Sequence, residues 1–245
     1  MAGAAVLGRL TPAAPLAWRV ATVAGVREET PRVRTLVLEV DGWPRHRAGQ
    51  HVDIRLTAED GYQAERSYSI ASGPGDGLEL TVELVENGEV SPYLVEELVT
   101  GDVFEIRGPI GGYFVWDPEE GGPLLLVGGG SGVVPLRAML RTRPTGVPAR
   151  LVYSARVLED VIYRDELDRL GSDVVVTLTR EERDGRRSGR VGADLLREVG
   201  FGPDDEPRIF VCGPTSFVGA VASALVDLGH PPERVRTERF GPTGR

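Results

Sequence analysis

The first half of the chain alternates apolar and polar residues in short runs. Between residues 51 and 56, Val52, Ile54 and Leu56 occupy every second position and would share one face of a strand. Clusters of glycine and proline, such as residues 73–77, separate the runs and predict turns. Many short strands with frequent turns are typical of an antiparallel β-barrel. The strands predicted for this barrel are 34–40, 51–56, 66–71, 78–85 and 103–107.

One helix interrupts the predicted barrel. Ser91 and Pro92 precede an apolar stretch, and they fit the cap and the first residue of a helix over residues 93–99. The segment 108–114 that follows the last predicted strand is interpreted as a turn with core aromatic residues.

The pattern changes at residues 117–123, a stretch of acidic residues, glycine and proline that we interpret as a linker. Beyond it, apolar strand-like runs alternate with helical patterns, which indicates a parallel sheet covered on both faces. The charged stretch 180–190 is interpreted as a solvated loop. The strands predicted here are 124–127, 150–153, 174–179, 209–212 and 235–240, and the helices are 134–141, 160–170, 193–199 and 214–228.

The sequence therefore predicts a two-domain protein, with an antiparallel β-barrel followed by an α/β domain built on a parallel sheet. Residues 1–14, rich in alanine, glycine and proline, are expected to form a flexible N-terminus. The barrel is predicted over residues 15–117 and the α/β domain over residues 118–245.

The composition excludes several classes of partner and of chemical site. The net charge is −9, from 37 acidic and 28 basic residues, which argues against nucleic acid or a membrane surface as the main partner. All basic residues are arginine, which excludes lysine chemistry. One cysteine excludes an internal disulfide and a cysteine-ligated iron–sulfur cluster, and three scattered histidines do not suit a metal site. We expect a cytoplasmic monomer without a signal peptide or bilayer-spanning run.

Arg66 and Tyr68 are two residues apart in a predicted strand, so their side chains would point to the same side. An arginine forms a bidentate clamp for phosphate, and a tyrosine offers a flat face for stacking. This pair suits a ligand that joins a phosphate to a planar ring. The alternative is an exposed sheet face on which an arginine covers a tyrosine.

Two glycine-containing segments are candidate phosphate sites. Residues 88–91 precede the helix of the barrel, where free N–H groups attract a diphosphate, although an ordinary capped helix would look the same. Residues 128–132 follow an apolar strand and precede a helix, as in nucleotide-binding turns. Val133 breaks the usual dinucleotide spacing of glycines, and a purely structural turn is the alternative.

The end of the second predicted parallel strand bears on the choice of coenzyme. An acidic residue there would favour NAD by binding its ribose hydroxyls. This chain has Ser154 and Arg156 instead, and Arg180 ends the next strand, so the three could bind a 2′-phosphate. We therefore expect NADPH. The alternative is that Arg156 is simply exposed and NADH is used.

Four motifs in order resemble the ferredoxin–NADP reductase superfamily, in particular its stand-alone bacterial flavin reductases. They are Arg66-x-Tyr68-Ser69, Gly88-x-x-Ser91, the glycine stretch 128–132 with Pro135, and Cys212-Gly213-Pro214. The resemblance extends from about Trp18 to Phe240. It implies FAD, with FMN as a less favoured option, in a site formed by Arg66, Tyr68, Ser69, Ile70, Gly88, Val90, Ser91 and Phe240. It implies a nicotinamide nucleotide site that includes Gly129, Gly130, Ser131, Gly132, Pro135, Cys212, Gly213 and Pro214, beside Ser154, Arg156 and Arg180.

The resemblance also implies catalytic roles for Ser69, Cys212 and Glu238, near the reacting atoms of flavin and nicotinamide. Taken alone, Cys212 would be a buried apolar residue, Glu238 a charged strand residue and Phe240 a core aromatic.

The implied activity is hydride transfer from NAD(P)H to FAD, followed by delivery of electrons to a separate acceptor protein such as a ferredoxin or an oxygenase. The acceptor is expected to be separate because this sequence lacks the cysteines of an iron–sulfur domain. One alternative is a reductase of free flavin or ferric complexes. Another is a non-catalytic electron-transfer subunit.

Overall fold

The computed structural model describes residues 16–183 and 186–241, which form two six-stranded sheets. The predicted N-terminal segment 1–14 lies outside the described residues. The first sheet is antiparallel and contains β1 to β6, and the second contains β7 to β12 with parallel pairing. The predicted combination of fold types is confirmed, whereas the domain boundary stays a prediction.

The antiparallel sheet closes on itself. Its strand order is β4-β3-β6-β1-β2-β5, and the chain just after β4 returns to the opposite edge. There Ile70 bridges Leu80 of β5, and the Ala71 N–H donates to the carbonyl of Glu79 over 2.8 Å. This closure makes the sheet a barrel around an apolar core. The strands are β1 (Arg19–Thr30), β2 (Val33–Val40), β3 (His51–Thr57), β4 (Gln63–Ser69), β5 (Leu78–Glu83) and β6 (Val103–Ile110).

The longest strand of the barrel, β1, was not predicted from the sequence. Its register against β2 shifts between Val23 and Gly25, and again between Glu28 and Thr30. Each irregularity displaces the alternation of inward and outward side chains, so the period of two is lost along the strand. The other barrel strands were predicted to within a few residues.

The predicted barrel helix is shorter than expected. A single turn spans Tyr93–Glu97, and the Leu98 N–H donates to the Tyr93 carbonyl, five residues back. The capping prediction for Ser91 is wrong. Its hydroxyl accepts the N–H of Val85 over 3.0 Å, outside the helix, so it fastens the end of the preceding loop.

The parallel sheet has the order β10-β9-β8-β7-β11-β12. The predicted helix 160–170 begins later, because Tyr163 has a left-handed backbone with φ of 59° that cannot continue a helix. The charged stretch 180–190 contributes the short strand β10 and is otherwise largely exposed where described. The elements are β7 (Leu124–Gly129), α1 (Val133–Thr142), β8 (Ala149–Ala155), α2 (Arg164–Arg169), β9 (Val174–Leu178), β10 (Arg187–Ser188), α3 (Ala193–Val199), β11 (Arg208–Pro214), α4 (Thr215–Asp227) and β12 (Val235–Phe240).

The two sheets share a buried core. Ala48, Ala71, Phe114 and Trp116 from the barrel half pack with residues of β7, β8 and α1. The rings of Phe114 and Phe210 meet edge to face, with centroids 5.4 Å apart. No helix among residues 16–183 and 186–241 is both long and apolar enough to cross a membrane.

A buried guanidinium ties the two sheets together. Arg137 of α1 is only 3% exposed, and it donates to the carbonyl of Ala71 over 3.1 Å and to Glu79 of β5 over 2.8 Å. It also donates to Glu166 of α2 over 2.9 Å and lies 4.4 Å from the ring centroid of Tyr163. Burial alone would lower the pKa of Arg137, but the bonds to Glu166 and Glu79 raise it, so the charge is kept.

Arg137→Met should destabilise the protein strongly, because it leaves Glu166 partly buried without its cation and leaves Glu79 with only the longer contacts to Arg27 and Arg141. Breaking a buried ion pair costs about 3–5 kcal/mol. The free energy of unfolding in urea measures the effect. Arg197→Met removes an exposed arginine paired with Asp194, and should cost less than about 1 kcal/mol. Equal stability of the two variants would contradict this role for Arg137.

Candidate functional site

The end of β4 carries the first group of predicted site residues. Arg66, on the same face as Tyr68, is 51% exposed and donates to the Glu65 carbonyl over 2.7 Å. Its guanidinium also binds the carboxylate of Glu89, which accepts the hydroxyl of Tyr62 over 2.6 Å. The ion pair brings the Arg66 strand against segment 88–91. Burial raises the pKa of Tyr68, so its phenol stays protonated at neutral pH.

Other predicted residues in this region direct their side chains into the barrel core. Ile70 is fully buried, and Val90 nearly so. The Ser91 hydroxyl is occupied by Val85, and a Cβ on Gly88 would lie 3.0 Å from the Val85 carbonyl oxygen. The protein's own packing therefore already favours glycine at position 88. A ligand here would meet backbone groups rather than these side chains.

Sequence reasoning did not single out two polar residues beside these strands. His51 begins β3 directly opposite Ser69, and burial lowers its pKa, so the imidazole is neutral at pH 7. Glu89 holds Arg66, although 23 residues separate them. His51 is a polar position of the predicted strand 51–56 and Glu89 lies within segment 88–91, but only the strand register and the loop path bring the two residues to the site.

The second group of predicted residues gathers at the carboxyl ends of parallel strands. In the strand register, Cys212 of β11 lies between Gly128 of β7 and Glu238 of β12, and Gly129 lies beside Ser154 of β8. Ligands of open parallel sheets bind at this edge. The four strand ends therefore form one continuous candidate surface.

The glycine loop is shaped by contacts within the protein. A Cβ on Gly132 would lie 2.2 Å from the Cys212 carbonyl oxygen, and one on Gly129 would lie 2.9 Å from the ring of Phe217. Gly130 has φ of +56°, in the left-handed region. The turn at residues 130–132, which includes Ser131, leads into α1, where Pro135 is buried. Packing thus accounts for two of these glycines without any ligand.

Buried Cys212 and half-buried Glu238 are neighbours on adjacent strands. Cys212 is 1% exposed, and burial together with the nearby Glu238 raises the pKa of its thiol, so it is a neutral thiol rather than a thiolate. Burial raises the pKa of Glu238 to about 7. Oε2 of Glu238 is buried and has no hydrogen-bond partner among the described residues. Such an unsatisfied carboxyl is a marker of a functional site.

The C-terminal strand brings further predicted residues to the same edge. Phe240 is half-buried against the shared core and lies beside Pro214 in the strand register, while Gly213 lies beside Arg239. A Cβ on Gly213 would meet Phe217 at 2.8 Å. Phe240 therefore fits the core-aromatic interpretation and still presents part of its ring at this edge.

Two of the three residues predicted to bind a 2′-phosphate are exposed, and the third is buried. Ser154 is buried, whereas Arg156 and Arg180 are exposed and joined through their backbones by a 2.8 Å hydrogen bond. Neither arginine forms a salt bridge with a carboxylate of the described residues. The structure places the two arginines on neighbouring strand ends, and both are exposed.

Comparison with known proteins divides the chain in the same way as the two sheets. A family model described as an oxidoreductase FAD-binding domain matches residues 22–115. One described as an oxidoreductase NAD-binding domain matches residues 126–223.

Related proteins match over most of the chain. Ferredoxin–NADP reductase B of Sorangium cellulosum is 40% identical over 240 residues, covering 90% of this chain and 96% of that protein. The ferredoxin reductase component of a 3-ketosteroid-9-alpha-monooxygenase from Rhodococcus rhodochrous is 32% identical, covering 89% of this chain and 64% of its own length. The crystal structure of a cytochrome P450 reductase from Amycolatopsis superposes with a TM-score of 0.82 at 28% identity, covering 94% of this chain and 72% of that one.

The raised pKa of Glu238 predicts a pH-dependent effect of Glu238→Gln on stability. The folded protein holds this proton up to about pH 7, whereas the unfolded chain releases it near 4.5, so the parent loses stability as the pH rises between these values. The variant lacks that loss. From pH 5.5 to 8.5 we expect it to gain on the order of 1–2 kcal/mol relative to the parent, allowing for partial exposure.

Urea unfolding at the two pH values measures this gain. Glu233→Gln, at an exposed position, serves as the control and should give the same difference from the parent at both. A difference between Glu238→Gln and the parent that does not change with pH would show that Glu238 is ionised normally.

Proposed function

The chain belongs to the ferredoxin–NADP reductase family, and we propose that it passes electrons from NADPH through bound FAD to a separate acceptor protein. The enzyme is an FAD-dependent NAD(P)H oxidoreductase. What supports the proposal most directly is the half-buried carboxyl of Glu238, whose buried Oε2 has no hydrogen-bond partner among the described residues, beside Cys212 at the edge of the sheet that carries the glycine loop. We further propose that the flavin domain spans residues 15–117, that the coenzyme domain spans residues 118–245, and that the protein acts as a cytoplasmic monomer.

The residues of the barrel suit FAD. Arg66 offers a half-exposed guanidinium for the diphosphate, and the loop at Gly88 lies beside it through Glu89. Tyr68 offers a protonated, half-buried ring, and Ser69 a partly accessible hydroxyl at the end of β4. Ile70, Val90 and Ser91 would contribute backbone groups, because their side chains are buried or already bonded. When bound, FAD accepts a hydride and returns the electrons singly or as a pair.

The residues at the parallel strand ends position the nicotinamide. The neutral Cys212 thiol would offer a small, polarisable contact beside the nicotinamide. Glu238 is close to half protonated at neutral pH, so its carboxyl can hold or release a proton at Oε2. The Gly129–Gly132 turn and Gly213-Pro214 supply close backbone approach for the coenzyme.

The coenzyme's 2′-phosphate is assigned to the pair of exposed arginines at the ends of β8 and β9. Among the described residues no carboxylate forms a salt bridge with Arg156 or Arg180, and Ser154 is buried near the end of β8. Charge-assisted bonds to a phosphate are the strong ones, and NADH cannot make them. This arrangement supports NADPH over NADH.

An anaerobic reduction experiment tests the function. Protein reconstituted with FAD should keep its yellow colour through gel filtration, and NADPH should bleach it. Loss of all flavin on the column would instead indicate a reductase of free flavin. Retention of flavin without bleaching would indicate an electron-transfer subunit that depends on a partner for reduction.

Arg66→Ala should weaken FAD binding. Losing one hydrogen bond to a charged group costs about 1.5–3 kcal/mol, which is roughly a ten- to hundredfold rise in Kd. Quenching of FAD fluorescence during titration of the apoprotein gives the Kd. Arg32→Ala, which removes a similarly exposed arginine paired with Glu86 in the same barrel, should bind FAD like the parent. Unchanged affinity in Arg66→Ala would make Arg66 a surface residue only.

Arg156→Ala should change coenzyme preference. Loss of a bond to the 2′-phosphate should lower kcat/KM for NADPH by roughly ten- to hundredfold and leave NADH almost unaffected. Arg180→Ala should act in the same direction. Arg169→Ala, at an exposed position of α2, is the control. A parent enzyme that prefers NADH, or a variant that loses both coenzymes equally, would overturn the assignment.

A further inference from the structure

The arginine assigned to the flavin phosphate already has an anionic partner within the protein. Oε2 of Glu89 accepts a bond from one terminal nitrogen of Arg66, and Oε1 of Glu89 accepts the hydroxyl of Tyr62 over 2.6 Å. The other terminal nitrogen of Arg66 donates to the carbonyl of Glu65 over 2.7 Å. Both terminal nitrogens are therefore engaged, and a bidentate phosphate needs two N–H groups of the same fork. A flavin phosphate must displace Glu89 from Arg66 or share the guanidinium with it.

Glu89 is ionised in this arrangement. The hydrogen bonds from Tyr62 and Arg66 hold the pKa of Glu89 below its usual value, so the carboxylate is negatively charged at neutral pH. Among residues 16–183 and 186–241, Arg66 is the only cation that forms a salt bridge with Glu89, and Glu89 is the only carboxylate that forms one with Arg66. A bound phosphate and Glu89 would therefore compete for a single cation.

The ion pair between Arg66 and Glu89 is weak enough to open. The two side chains are 51% and 46% exposed, and water screens exposed ion pairs. A phosphate that binds two nitrogens of an arginine makes stronger, charge-assisted bonds. The pair can therefore separate when a flavin binds, at a cost that lowers the affinity for the flavin.

The backbone on both sides of Glu89 is held in place. The Gly88 N–H donates to the carbonyl of Val85 over 3.0 Å, and the hydroxyl of Ser91 accepts the Val85 N–H over the same distance. Val90 is 1% exposed in the barrel core. The carboxylate can turn aside only by the length of one side chain, which is shorter than the Debye length of about 10 Å at 0.1 M salt. Its charge therefore continues to act on a phosphate bound at the same clamp.

The flavins differ in the charge that they would bring to this clamp. FMN ends in a phosphate monoester, which carries about −1.5 to −2 at pH 7 because its second ionisation occurs near pH 6. Each phosphate of the FAD diphosphate carries a single negative charge, and riboflavin carries no phosphate. A carboxylate beside the clamp should therefore repel FMN more strongly than FAD.

We propose that Glu89 is a specificity-determining residue of the flavin site, which competes with the flavin phosphate for Arg66 and favours FAD over FMN. This inference rests on the proposed function and concerns how that site selects its flavin. A repulsive group creates specificity when it penalises one ligand more than another. Glu89 lowers the affinity for both nucleotides and lowers it further for FMN, because the charge it opposes is larger.

Glu89→Gln tests the proposal, because glutamine keeps the shape of the side chain and can still accept the Tyr62 hydroxyl but has no charge. Titration of the apoprotein, followed by the quenching of flavin fluorescence, gives the Kd of FAD, FMN and riboflavin. At pH 7 and low salt, we expect the Kd of FAD to fall about two- to fivefold and the Kd of FMN about four- to twentyfold. The Kd of riboflavin should stay unchanged, which also shows that the variant is folded.

Two further variants separate this contact from a general effect of charge. Glu86→Gln removes an exposed carboxylate of the same loop, one that pairs with Arg32, and should leave all three Kd values close to the parent's. On the Arg66→Ala background, Glu89→Gln should give a smaller gain in FAD affinity than it gives in the parent, because the cation for which Glu89 competes is gone.

The outcomes distinguish this inference from the function on which it rests. Unchanged or weaker FAD binding in Glu89→Gln would overturn the competition, as would an undiminished gain on the Arg66→Ala background. Equal gains for FAD and FMN would overturn the selection between them, and an equal gain for riboflavin or in Glu86→Gln would overturn the role of the phosphate contact. All of these results leave the reductase function intact. A parent that binds none of the three flavins would overturn the proposed function itself.

Discussion

The buried guanidinium of Arg137 is the interaction on which the arrangement of the two sheets depends. It reaches from the first helix of the parallel sheet to Ala71 and Glu79 of the barrel, and it binds Glu166 at the same time. A cation this deeply buried is tolerated only where several acceptors surround it, and here they come from both halves of the chain. The relative position of the halves is therefore set by polar geometry as well as by the shared apolar core.

The bonds of Arg137 also fix the two groups of candidate site residues, at β4 and at the glycine loop, relative to each other. Ala71 follows Ser69 by two residues, and Arg137 lies in the helix that begins directly after the glycine loop. One bond thus connects the segment just after β4 to the helix that follows the glycine loop. Cys212 and Glu238 lie on neighbouring strands of the same sheet. Burial raises both pKa values, so at pH 7 the Cys212 thiol is protonated and the Glu238 carboxyl is near its midpoint.

Much of the fold followed from the sequence, and the failures have physical causes. Apolar runs revealed the parallel strands, because burial on both faces leaves little room for polar residues. β1 was missed because its bulges interrupt the alternation, and the start of α2 was misplaced because Tyr163 is left-handed. The Glu89 partner of Arg66 could not be predicted, since such a pairing depends on how distant loops fold. The motifs identified the candidate residues. They did not show which of those side chains are buried in the core or already hydrogen-bonded within the protein.

The contact between Gly132 and the carbonyl of Cys212 divides the coenzyme half into a fixed part and an adaptable part. A Cβ at position 132 would lie 2.2 Å from that oxygen, so any larger residue there would force the loop or the strand that carries the thiol to shift. Arg156 and Arg180 project from strand ends that carry no such contact. On the proposed assignment of the 2′-phosphate to these two arginines, coenzyme preference can be changed there without altering how the glycine loop packs on the Cys212 strand.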